Sequence, residues 1–215
     1  REQLAGLIMQ QNGTTLDQTS KPNRIYFADF HTALREKPDL VKEYLGRAIR
    51  ENPSKDENMF DVLQNAFLRG GYVLHVPAGV VEEKPFQVFT TLNGHSVANF
   101  PHTLIIAEAN SQATILEVQE SGANNQPGLH CGAVEIFLGP NSHLNFVQIQ
   151  DFNQQTWCFS TQRALIQQSA NLRWVTACLG SRLSKIDQLS EVLQYQCHLK
   201  DLFLRMISVS ICLYL

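Results

Sequence analysis

The sequence predicts a mainly β chain: a β-solenoid preceded by a small helical region. Three observations predict it. Between Tyr72 and about Gly180, short β-type runs follow one another with no helical stretch between them, which disfavours βαβ architecture. Within that stretch a turn-plus-strand unit repeats. Ala109-Asn110-Ser111-Gln112-Ala113-Thr114-Ile115-Leu116 overlays Gly139-Pro140-Asn141-Ser142-His143-Leu144-Asn145-Phe146-Val147 and Gln168-Ser169-Ala170-Asn171-Leu172-Arg173-Trp174-Val175, with a weaker first copy at Pro77-Ala78-Gly79-Val80-Val81. Anchoring these on Val80, Ala113, Leu144 and Leu172 gives spacings of 33, 31 and 28 residues. One β-coil of such length cannot bury its inward side chains alone, so neighbouring coils must stack. Finally, helix-period patterning is confined to residues 38–70 and stops at Gly70-Gly71. A β-sandwich or jelly roll can also space strands in this way.

Taken in order, residues 1–28 read as two short strands broken by Asn12-Gly13 and Lys21-Pro22-Asn23. Pro38 can open a helix whose apolar face is Leu40, Val41, Tyr44, Leu45, Ala48 and Ile49. Ser54-Lys55-Asp56-Glu57 has capping-box spacing ahead of Met59, Phe60, Leu63, Ala66 and Phe67. In the β region, Val134, Ile136 and Leu138 should face one way and Glu135 and Phe137 the other. After Gly180 the pattern lapses, and Leu199–Leu215 reads as a cap helix or as sequence foreign to the repeat. The expected division is 1–71 (strands and helices), 72–187 (a partial solenoid core) and 188–215 (an atypical tail).

Seventeen Lys plus Arg against twenty Asp plus Glu leave a net charge of −3, which lacks the electrostatic footprint of a nucleic-acid binder or a polybasic membrane-surface protein. Leu199–Leu215 is too short and too charged to span a bilayer. Five widely spaced cysteines form no disulfide framework and fit a reducing compartment. Asn12-Gly13-Thr14 matches a glycosylation sequon but is better read as an Asn-Gly turn. His130-Cys131 unites two good ligand types, yet adjacent strand residues point to opposite faces. Glu117 and Glu120 likewise miss the period-two face that a paired-carboxylate site needs. Nucleotide-binding glycine loops and Gly-x-Ser-x-Gly are absent. No catalytic residue and no metal ligand is therefore assigned, and cofactor-binding residues stay unknown. Trp157 and Trp174 read as core or edge aromatics. Cys131 and Cys158, 27 residues apart, read as structural thiols stacked on neighbouring coils, with a bulge absorbing a one-residue mismatch.

The run from Phe60 to Val80, FDVLQNAFLRGGYVLHVPAGV, resembles the lead-in to the core of the SufB/SufD family, where a helix ending in Gly meets a hydrophobic-Val-Pro-x-Gly-Val strand. Lys84-Pro85-Phe86, Phe100-Pro101-His102-Thr103-Leu104-Ile105-Ile106-Ala107-Glu108 and Ala113-Thr114-Ile115-Leu116-Glu117 look similar to the same family. The likeness covers roughly residues 20–187, and the helical region is more like SufD than SufB. It implies a right-handed parallel β-helix serving as a non-enzymatic scaffold in iron–sulfur cluster assembly. The implied partners are a SufB-like protein and the ATPase SufC, in the cytoplasm or, in a photosynthetic eukaryote, the plastid stroma. A nascent cluster and a reduced flavin belong to the family complex, with no cofactor expected on the isolated chain. Self-association is left open. Family members are about twice as long, so the sequence reads as truncated at its C-terminus; no cluster ligand is carried over to it. The competing reading is a β-helical carbohydrate-active enzyme, which would need acidic residues clustered on one exposed sheet.

Overall fold

Strand and helix propensities resolve into eighteen elements in the computed structural model, which describes residues 3–20, 24–51, 59–122, 125–193 and 205–212. They are β1 (Gly6–Gln11), β2 (Thr14–Ser20), β3 (Tyr26–Asp29), α1 (Phe30–Glu36), α2 (Pro38–Tyr44), α3 (Arg47–Glu51), α4 (Met59–Ala66), β4 (Gly71–Val76), β5 (Phe86–Leu92), β6 (Val97–Asn99), β7 (His102–Ala107), β8 (Gln112–Ser121), β9 (Gly128–Leu138), β10 (His143–Asp151), β11 (Thr156–Ile166), β12 (Asn171–Gly180), β13 (Leu183–Val192) and β14 (Arg205–Cys212). The chain is a parallel β-solenoid of about four turns. One sheet runs β14-β12-β10-β8-β5-β1-β2 and the other β13-β11-β9-β7-β4-β3, so each coil gives one strand to each sheet. Within the second sheet, β6 also pairs with β9.

The repeat is a turn as much as a strand. Asn110, Asn141 and Ser169 all adopt left-handed backbone, with φ of 58°, 56° and 56°, and Gly79 occupies the same place in the first copy at 70°. Gly and Asn tolerate that region where most side chains collide with the backbone. The first three of these turns along the chain each hand a backbone N–H to the next coil: Gly79 to the Ala109 carbonyl (2.9 Å), Asn110 to Pro140 (2.9 Å) and Asn141 to Gln168 (3.0 Å). Ala113, Leu144 and Leu172 then lie in register in β8, β10 and β12. Val80 does not join them. Val81 bridges Gln112, so Val80 matches Ser111, and the first copy is offset by two residues.

The solenoid's N-terminal end is closed by reversed strands. β1 continues the first sheet in parallel with β5, and β2 folds back against it through a two-residue turn in which Asn12 (φ 52°) and Gly13 (φ 75°) are both left-handed. β3 runs antiparallel to β4 at the matching edge of the second sheet. The Gln10 amide ties the two edges together, donating to the Gly71 carbonyl (2.8 Å) and accepting from its N–H (3.0 Å). At the stop signal, a Cβ on Gly71 (φ 91°) would lie 2.1 Å from the His102 carbonyl oxygen.

The helices pack on the outer face of the second sheet, as their apolar faces require. Phe30, Ala33, Val41 and Ala48 form a second core with Val73, Leu104, Ile106, Phe137 and Leu165. As alternation predicts, Val134, Ile136 and Leu138 enter the inner core while Phe137 enters this outer one. Two corrections apply here. α1, capped by the Asp29 carboxylate accepting from Thr32 N–H, went unread in the sequence. The single helix expected over Leu40–Ile49 is two, because Gly46 (φ 70°) breaks it between α2 and α3. The proposed capping box at Ser54–Glu57 lies outside the described residues.

Past Gly180 the coil pattern continues, contrary to expectation. β13 pairs in unbroken register with β11 as far as Val192, and β14 adds a strand beside β12 in place of a cap helix. Among the described residues no helix is long and apolar enough to cross a membrane.

Candidate functional site: a polar column inside the solenoid

Strand alternation divides the lumen lengthwise. The first inward positions of each strand in the first sheet are apolar (Ala113 and Ile115, Leu144 and Phe146, Leu172 and Trp174). The next are polar: Glu117 and Gln119 in β8, Gln148 and Gln150 in β10, Thr176 in β12. Buried polar groups are tolerated where they satisfy each other, and these form a relay across the coils. Gln162 Nε2 donates to Gln148 Oε1 (2.8 Å), and Gln148 bonds in turn to Glu117. Glu117 also accepts from Tyr72 OH (3.1 Å) and from Gln119 Nε2 (2.6 Å). Burial lifts the Glu117 carboxyl above the ordinary range, the hydrogen bonds opposing that only in part. Glu120 is exposed near the end of the same strand, so the two carboxylates do not form a pair, as the strand period implied.

The second sheet contributes an imidazole and a thiol. Cys158 is the register partner of His130, and both are buried. Burial pushes His130 down to about 4, so the ring is neutral at pH 7. Cys131 is not stacked on Cys158: β9 and β11 pair without a bulge, Cys131 falls opposite Phe159, and the one-residue mismatch turns the two thiols to opposite faces. Cys131 lies beneath α4, its Sγ 3.3 Å from the Phe60 carbonyl oxygen. Both thiols are pushed up by burial, Cys131 to about 11 and Cys158 further, so both are protonated at neutral pH. The same alternation separates His130 from Cys131. Among the described residues no three of His, Cys, Asp and Glu are grouped to hold a metal ion. Trp174 is core, packed on Phe146, whereas Trp157 is 42% exposed with the Arg182 guanidinium 5.6 Å from its ring centre.

Sequence reasoning missed a buried carboxylate on the other side of the second sheet. Glu135, with no exposed side-chain surface, projects from β9 into the helical layer. It accepts N–H bonds from Gly46 (2.5 Å), Ala48 (2.7 Å) and Ile49 (3.2 Å), the donors that the first turn of α3 leaves unpaired, and it contacts His102 Nε2 at 2.9 Å. The signal was present in the sequence: alternation set an acidic residue on the face that the helices had to cover. A cavity of about 230 Å³ opens beside this clamp, lined by Tyr44, Arg47, Glu108 and the Gly139-Pro140 turn. That is below the roughly 300–1,000 Å³ of typical cofactor sites, and no flavin site is assigned to it.

With this geometry established, comparison with known proteins places the chain. Residues 7–88 match the SufBD protein N-terminal region, and residues 89–207 match the SufBD core domain of the SUF system for FeS cluster assembly. The two matches meet inside β5, and the core match extends past residue 187 into β14. Iron–sulfur cluster assembly SufBD family proteins of Staphylococcus saprophyticus and Staphylococcus haemolyticus are 28% and 29% identical over 185 residues, 84% of this chain and 39% of theirs. A Staphylococcus aureus relative is 27% identical over the same length. The chain thus spans about two-fifths of the length of these relatives. Two consecutive family matches, covering the reversed-strand cap, the helices and the stacked coils, establish that the chain belongs to the SufBD family of iron–sulfur cluster assembly proteins.

Proposed function

We propose that the chain is a SufD-like, non-enzymatic scaffold component of the iron–sulfur cluster assembly machinery, working in the cytoplasm with a SufB-like protein and an ATPase of the SufC kind. The observation that carries this reading is the family match from residue 7 to residue 207, spanning both cap and coils. The chemistry of the described residues supports a scaffold. The lumenal thiol is protonated, and the buried carboxylates are engaged by hydrogen-bond donors. The cluster is the cargo of this machinery, and no ligand to it is assigned here.

Two experiments test the proposal. Affinity capture from cells co-producing SufB-like and SufC-like proteins should retain them, and disrupting the gene should lower iron–sulfur enzyme activities without lowering the amounts of those enzymes. Reproducible ATP hydrolysis, or cleavage of pectin-like polysaccharide, by the purified chain would overturn the non-enzymatic reading.

A further inference from the structure

The relay centred on Glu117 leaves other lumenal polar atoms without a partner among the described residues. Asn99 Oδ1 and Nδ2 and His130 Nδ1 are fully buried and make no hydrogen bond to the described residues; the same holds for Trp174 Nε1, Thr176 Oγ1 and Gln162 Oε1. These atoms fall into two groups. Asn99 and His130 are register partners on β6 and β9. Thr176 is the register partner of Gln148, which Gln162 also contacts, and Trp174 lies two residues before Thr176 on the same face. Leaving a buried donor or acceptor unpaired costs about 1–3 kcal/mol, so several side by side need a common explanation.

His130 is flanked on the inward face of β9 by Gly128 and Gly132, and a Cβ on Gly132 would sit 2.8 Å from His130 Nε2. Gly132 therefore makes way for the imidazole itself, whose Nδ1 is the atom left unpaired. In chemical terms, each group offers both donors and acceptors: an amide with a neutral imidazole, and an indole N–H with a hydroxyl and an amide oxygen. A buried water typically makes about three hydrogen bonds of mixed direction. Neither group carries a formal charge to hold an ion.

We propose that the polar half of the lumen binds ordered water at two internal sites, one between Asn99 and His130 and the other among Trp174, Thr176 and Gln162. Water there completes the polar column, extending the Glu117 relay across the coils on either side.

The test is an atomic-resolution crystal structure of the 215-residue chain, combined with melts of Thr176→Val and Asn99→Leu. The expected result is a density peak within hydrogen-bond reach of His130 Nδ1 and the Asn99 amide. Each variant should also melt about 2–6 °C lower, because each removes a partner of a bound water. If Asn99→Leu fails to fold, the nearly isosteric Thr176→Val still reports. Absence of any peak beside His130 Nδ1 overturns the proposal, as does a higher melting temperature for Thr176→Val, since replacing an unpaired hydroxyl by a methyl group relieves its desolvation cost.

Discussion

Replacing Glu135 by Ala should detach the helical layer from the solenoid. The carboxylate accepts three backbone N–H bonds at the start of α3 and contacts His102, in a site with no solvent access. Removing it strands those donors where water cannot reach them, and hydrogen bonds to a charged group are worth about 1.5–3 kcal/mol each. The donors share one carboxylate and α3 can partly relax, so the contributions do not add in full; a loss of about 3–5 kcal/mol matches the cost of breaking a buried charged network. For a domain of this size that corresponds to a melting temperature lower by about 6–20 °C. Glu135→Gln should fall between, because its oxygen can still accept while its NH₂ faces other donors. Urea denaturation followed by circular dichroism measures the loss, and limited proteolysis locates it, with new cuts expected between Leu45 and Ile49. A loss under about 1 kcal/mol in Glu135→Ala, with no new cleavage there, would refute the idea that this carboxylate holds the helices in place.

Three further outcomes follow from the structure. The folded state raises the Glu117 pKa, so the unfolded chain ionises first and stability falls as pH climbs above the ordinary carboxylate range, no more steeply than about 1.4 kcal/mol per pH unit; Glu117→Gln should remove that slope and be the more stable form at pH 8, and an equal gap between the two proteins at pH 5 and pH 8 would contradict this. Cys131 and Cys158 should resist iodoacetamide in the native chain at pH 8 and react only on unfolding, as peptide mass spectrometry can read; rapid native labelling of either would mean that its thiol is not held up by burial. At the left-handed turn, Asn141→Gly should be near neutral whereas Asn141→Val should cost about 1–3 kcal/mol in denaturant melts, and equal stabilities would show that the turn does not constrain the residue.

What the sequence disclosed, and what it hid, follows from the range of the interactions involved. The coils were legible because Asn110, Asn141 and Ser169 mark a local backbone conformation, and because period-two alternation along Val134–Leu138 is a property of one strand. The exclusion of a Glu117–Glu120 pair rested on the same local rule. The Val80 offset was hidden because the two extra residues lie in the connection to β5, where no side-chain pattern records them. The opposed directions of Cys131 and Cys158 depend on whether β9 and β11 pair without a bulge, which only the partner strand decides. The break at Gly46 is similar. A continuous apolar face ran through it, and the carboxylate that rewards the break sits some ninety residues further along the chain. The tail was misread because the sequence from 194 to 204 holds no Asn or Ser of the kind that marks the other turns, although β13 and β14 pair as the earlier strands do.

The reversed-strand cap has a consequence for synthesis on the ribosome. β1 pairs with β2 almost as soon as both emerge, but its parallel partner β5 begins eighty residues after it. Closing that loop costs only about 0.8 kcal/mol more than closing one coil, because the entropy grows with the logarithm of length. Time sets the order instead. At translation rates of roughly 5–20 residues per second, β1 waits on the order of 4–16 s for β5, against microseconds for a hairpin to form. Throughout that interval the β1–β2 ribbon shows an unpaired edge and an apolar face to solvent, and the first coil to appear both shields that ribbon and is templated by it. Later coils each add to an edge already in place, so assembly from the cap onward becomes a sequence of short local steps in the order in which the chain is made.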